Sequence, residues 1–231
     1  MTIHIAFVAP PELHRNAVKL IENIDARSNA SQADLMTSII NDFTDATLKV
    51  FFIDMIELLD PSPFMEKMVT GSVNTIKSTV HSVSRTVIHK LDNKQLIPLS
   101  DYISSIMLTT TDADGLEKIC IGFPITEATH QRMQKIVADM NGSDPHAHVD
   151  ELMDMLHEIT DLALNSYLIT PVDLLQLGFF LRKLAEGAVA IVRGAVHLVI
   201  RRLVPELTPR HLQALTQYLH DLVLLDGRPW R

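Results

Sequence analysis

The chain has 231 residues, 47% hydrophobic and 21% charged, which is ordinary globular usage and excludes disorder as a global description. A formal net charge of −8 and an aromatic content of 5% argue against sequence-independent nucleic-acid binding, which needs a basic footprint and stacking platforms. The one cysteine, Cys120, excludes an internal disulfide and any zinc site built on cysteines.

Eight glycines and eleven prolines are few for this length and favour long uninterrupted elements over a turn-rich β architecture. The charge is uneven. Residues 1–170 hold 12 Lys/Arg against 23 Asp/Glu, a net of −11, and residues 171–231 hold 8 against 5, a net of +3. An acidic part could therefore dock on a basic part, within one chain or between copies. The opening segment has no basic region before its short apolar stretch, and no long uncharged apolar run occurs, so the expectation is a soluble, cytoplasmic protein.

Thr2 to Val8 alternates weakly before Pro10-Pro11 and reads as a short strand or extended arm. Leu13, Ala17, Leu20, Ile21 and Ile24 then mark a short amphipathic helix. Ser31-Gln32-Ala33-Asp34 has the spacing of a capping box. From there Met36, Ile39, Phe43, Ala46, Val50 and Ile53 form a heptad seam that runs to the prolines Pro61 and Pro63. Val69, Val73, Ile76, Val80, Val83 and Val87 form a second one. Two such helices of roughly 27 residues, each about 40 Å long, predict an antiparallel helical hairpin. The second seam is almost wholly β-branched, so that helix needs packing partners.

Ser100 to Thr111 is ambiguous, Asp112 to Gly115 reads as a turn, and Leu116 to Phe123 alternates in part. A β-hairpin is expected here, with Thr2–Val8 as its third strand. Thr126 to Met140 reads as a helix stopped by Asn141-Gly142, and another starts at Asp144-Pro145. Thr170-Pro171 is expected to start a long helix reaching Val204, and Thr208-Pro209 a last one ending near Gly227.

The helix expected over 171–204 confines its polar groups to one stripe, Arg182, Glu186, Arg193, His197 and Arg201, among apolar and small residues. That suits a central helix buried on most sides, or else a helix lying on a membrane surface. His146, Asp150, Asp154 and His157 would share one helical face if that helix starts at Pro145. Imidazoles and carboxylates at one-turn spacing can chelate a divalent cation, although the same residues also suit a solvated face. Glu127 with His130, and Asp154 with His157, resemble the Glu-x-x-His ligands of di-iron bundles, but no facing glutamates accompany them. His157 to Asp161 lacks the second histidine of a zincin, phosphate-cradling glycine loops are absent, and Cys120 sits in an apolar context as an inert thiol.

These readings converge on a mainly α protein: a long antiparallel helical hairpin, a C-terminal helical layer and a small β element. The segments divide as 1–97, 98–142 and 143–231, or form one single domain overall. With no catalytic residues and no cofactor expected, the leading functional expectation is a non-enzymatic, self-associating interaction or scaffold protein, either a homo-oligomer or bound to a protein partner. The alternatives are a membrane-surface-active protein, a metal-dependent helical enzyme using His146, Asp150, Asp154 and His157, and a sensor holding a small ligand between its helices.

Overall fold

The computed structural model describes residues 2–60, 62–111 and 114–230. It is 74% helical and mainly α, with a small antiparallel five-stranded sheet. The strands are β1 Ile3–Val8, β2 Met107–Thr111, β3 Glu117–Ile125, β4 Val223–Leu224 and β5 Arg228–Pro229, in spatial order β4-β1-β3-β2-β5. The helices are α1 Pro11–Asp25, α2 Ala33–Leu48, α3 Asp54–Leu59, α4 Pro63–Ile88, α5 Asn93–Ile106, α6 Glu127–Met140, α7 Val149–Leu164, α8 Thr170–Leu174, α9 Phe179–Leu203 and α10 Pro209–Asp221. A π turn over Lys49–Ile53 joins α2 to α3, and another over Asn165–Ile169 joins α7 to α8, so each pair is one continuous rod.

The expected hairpin forms from the α2–α3 rod and α4. Ser62 caps α4 and Pro63 starts it, where the missing N–H leaves no helical bond unmade. Pro61 lies outside the described residues. The β-branched seam is buried at Val69, Val73, Ile76, Val80 and Val87, because α2 packs on one side of α4 and α9 on the other. The first seam behaves differently. Met36 and Ile39 are buried as the heptad predicts, but the inward positions then move to Thr44, Leu48 and Phe52. A straight α-helix drifts from a strict heptad, so the inward line has left the seam at Thr44 and Leu48, before the π turn over Lys49–Ile53.

The start of α2 is not the predicted capping box. Asn93 reaches across to accept from the Gln32 N–H at 2.9 Å and donates to the Ser28 and Ala30 carbonyls, leaving Asp34 exposed. The capping box is found instead at Asp92 and Gln95, opening a helix that runs through Pro98 and into the stretch from Ser100 that read as ambiguous.

The sheet carries the expected hairpin, though the turn residues Asp112 and Ala113 lie outside the described residues. β1 joins β3 in antiparallel register from Ile3 opposite Ile125 to Val8 opposite Cys120. The inner face, with Ile5, Phe7, Ile121 and Phe123, packs against the helices. The outer face, with Ala6, Leu108 and Cys120, is closed by Leu224. Residues after α10, expected to continue the helix toward Gly227, instead pair along both sheet edges, β4 with β1 and β5 with β2.

Thr170-Pro171 opens only the short α8 and not the long helix expected to reach Val204. It ends the α7–α8 rod, the chain breaks at Leu175–Gly178 with Gln176 in the left-handed region (φ 48°), and α9 begins at Phe179. Nor is α9 buried on most sides. It turns Ala185, Ala188, Val192, Val199, Ile200 and Leu203 inward and leaves a full face open. Among the described residues no helix is long and apolar enough to cross a membrane.

Two glycines make a test of this packing. A Cβ on Gly122 would meet the Ala6 Cβ at 2.8 Å and the Ile5 carbonyl at 3.0 Å, both on the neighbouring strand, whereas Gly187 on α9 faces open space. Gly122→Ala should destabilise by ~1–3 kcal/mol through forced strand separation. Gly187→Ala should stabilise by ~0.5–1 kcal/mol through helix propensity. Urea melts of the two variants check this, and a neutral Gly122→Ala would mean that the strands sit further apart than described.

Candidate functional site

Two concavities of about 150 and 160 Å³ lie within the helical mass. The first is framed by α1, α2, α4, α5, the 165–175 segment and α9, with Leu13, Ile39, Val83 and Ala188 in its wall. The second is framed by the α2–α3 rod, α4, α7, α9 and α10, with Phe52, Ile159, Val196 and Leu215 in its wall. Both touch Phe43, Thr44, Val80, Tyr167 and Leu168, which form the partition between them. No Asp, Glu, Lys or Arg lines either one.

The partition is aromatic. The Phe43 and Tyr167 rings meet edge to face at 4.8 Å, and Phe123 of the sheet meets Tyr167 at 5.4 Å. Tyr167 lies deep in the molecule yet its side chain is only partly covered, since its ring borders both cavities. Its hydroxyl has no hydrogen-bond partner, and burial pushes its pKa far above the ordinary tyrosine value.

Both π turns face these cavities. In each, a backbone N–H reaches five residues back, Asp54 to Lys49 and Thr170 to Asn165. Each turn also holds a carbonyl taken by a tyrosine from another helix. Tyr218 of α10 donates to the Val50 carbonyl and Tyr102 of α5 to the Ser166 carbonyl, both at 2.8 Å. Pro171, five residues beyond Ser166, has no N–H to offer that oxygen. Burial raises the pKa of both phenols, which keeps them protonated and donating.

Of the other polar groups on the walls, Thr44 donates to the Ile40 carbonyl and Thr160 to that of Leu156, while the Thr47 hydroxyl on the second cavity and the His14 Nε2 on the first are buried without a partner. The cavities thus offer dispersion contacts and no nucleophile–base pair.

Of the residues considered as metal ligands from sequence, His146, Asp150 and Asp154 are exposed. Pro145–His148 is a 3-10 turn and α7 starts only at Val149, so His146 falls outside the helical register assumed for the four. His157 turns to α9, where its ring lies 4.4 Å from that of His197. Both Nε2 atoms are buried without a partner, and the Asp161–Arg193 ion pair lies one turn further along at 2.9 Å. Among the described residues, one group of three potential ligands comes within metal-binding distance: Asp139, His148 and Glu151. Lys135 already bridges its two carboxylates at 2.7 and 3.1 Å, and it holds the Asp139 carboxyl below the usual range. Glu127 is exposed and His130 buried, so they do not act as a ligand pair. Cys120 lies under Leu224, and burial raises its pKa, as befits an inert thiol.

The tyrosines separate by substitution. Tyr167→Phe removes a buried hydroxyl with no partner and should leave stability unchanged or raise it, whereas Tyr102→Phe orphans the Ser166 carbonyl and should cost about 1–3 kcal/mol. A large loss in Tyr167→Phe would reveal a partner for that hydroxyl. Acid provides a second test. Burial lowers the pKa of His4 and His197, for His197 with help from neighbouring His157. Their contribution is therefore present above the unfolded histidine value of about 6.5 and is lost as pH falls from there toward the folded values. Urea midpoints should drop between pH 7.5 and 5.5, and His197→Gln should flatten that drop.

Compared with known proteins, the chain matches no family model, no curated protein and no solved structure.

Proposed function

We propose that this protein binds a small apolar molecule between its helices, as a carrier or sensor and not as a catalyst. The observation that carries the reading is the pair of uncharged cavities sharing the Phe43–Tyr167 wall. Binding sites for small molecules are concave and mostly apolar, and helical bundles build them between facing helices. An apolar occupant would recover contacts that the bare walls lack, at no desolvation cost to a charge. The π turns support the same reading, since they recur at functional sites and here border the space to be filled.

The heptad seams supply no reason of their own for self-association, because the seam of α4 is covered by α2 and α9 of the same chain.

Native mass spectrometry of the protein as purified, with thermal melts in medium-chain n-alcohols, tests the reading. At a hundredfold excess over Kd a ligand adds about 2.7 kcal/mol, so Tm should rise by about 5–10 °C. Ala188→Leu and Val196→Phe, which fill one cavity each, should raise Tm without ligand and shrink the alcohol-induced gain. No added mass and no Tm shift in the unmodified chain would overturn the reading.

A further inference from the structure

The outer face of α9 combines two properties. Four of its large apolar side chains stand in solvent: Phe179 is 81% exposed, Phe180 76%, Ile191 48% and Leu198 42%. Phe180, Gly187, Ile191, Gly194 and Leu198 follow at steps of 7, 4, 3 and 4, which puts them on one line along the helix. The helix also concentrates positive charge. It holds Arg182, Lys183, Arg193, Arg201 and Arg202 against Glu186 alone, a net of +4 in a chain of net −8. Lys183, Arg201 and Arg202 flank the apolar line. Among the described residues Arg201 and Arg202 have no carboxylate partner, and Arg201 donates only to the His197 carbonyl.

We infer that this face docks on an anionic lipid surface, with α9 lying in the interface plane. Phe179 and Phe180 enter the acyl boundary at one end, Ile191 and Leu198 follow along the line, and the basic residues meet headgroups. That is the arrangement of an interfacial helix: an apolar stripe, a cationic border and insufficient hydrophobicity to span. A Cβ placed on Gly187 or Gly194 would meet nothing within 4 Å, so the stripe between the bulky residues is low and lets the helix axis approach the surface.

Charge decides between this occupant and a second copy of the chain. An antiparallel pair of α9 faces would set Lys183 of one copy against Arg201 and Arg202 of the other, and a parallel pair would set each cation against itself. Either arrangement is repulsive, whereas each basic group near an anionic surface gains about 1 kcal/mol. The docking does not require the cavities to be filled.

Co-sedimentation with vesicles of phosphatidylglycerol and phosphatidylcholine, against phosphatidylcholine alone, tests it. Binding is expected to the anionic vesicles only and to weaken as salt rises. Arg201→Gln with Arg202→Gln removes two cations and should lower vesicle affinity about 30-fold. Phe180→Ser with Leu198→Ser should abolish binding. All four side chains are exposed, so unchanged circular dichroism is expected for both variants. The cavity-filled Val196→Phe chain should bind vesicles normally, which separates this inference from ligand binding. Equal binding to neutral and anionic vesicles, or none to either, overturns it. So does a dimer in solution that Phe180→Ser with Leu198→Ser dissociates, since the face would then belong to a second copy.

Discussion

Two backbone carbonyls, those of Val50 and Ser166, hold the key to how this interior is arranged. Each sits in a π turn inside a long rod, where the regular ladder of helical hydrogen bonds is interrupted. A buried carbonyl left bare is costly unless another group donates to it. Here the two tyrosine hydroxyls do so, one from α10 and one from α5. Each bond ties a rod to a helix remote in sequence, and each fixes a rotation of the rod beyond it. The first turn carries the rod from buried Leu48 past buried Phe52, while the second turn holds Tyr167 beside Phe43. Undo either bond and the partition between the cavities has no reason to stay where it is.

Helix α9 is the other organising element, because it works on two sides at once. Its inner face supplies Ala188 and Val189 to one cavity and Val192, Val196 and Val199 to the other. Its outer face carries the exposed apolar line and the cationic border. One helix thickness, about 10 Å, therefore separates that exposed face from both internal spaces. The small residues that let neighbouring helices pack closely in other folds here lie toward solvent at Gly187, Ala190 and Gly194.

The parts that could be read in advance were those governed by local periodicity. The valine seam of α4, the β1–β3 pairing and the proline-started α10 each follow from a pattern that no distant contact overrides. The capping at Ser31 and the helix start at Thr170-Pro171 were misread, because local chemistry there yields to a distant partner. Asn93 takes the first, and the second continues the rod that leaves the tyrosine-supported π turn at Ile169. The exposure of α9 was hidden because its glycines and alanines suit a buried helix and an approachable surface equally. The cavities left no trace at all, since an empty space is a property of how far apart finished elements stand. The partners of His157 and His148 came from other helices, α9 and α6, which spacing along α7 cannot report.

The sheet has a consequence for how the chain is born. Strand β1 at residues 3–8 completes one edge only by pairing with residues 223–224, and β2 completes the other with residues 228–229. During synthesis both edges stay unpaired until that late segment has cleared the ribosome, however early the helical hairpin has formed. A nascent chain stalled short of residue 222 would carry two open strand edges and an uncovered patch at Ala6, Leu108 and Cys120, the kind of template on which chains aggregate. The segment that closes the sheet also closes the window in which its strand edges lie open to other chains.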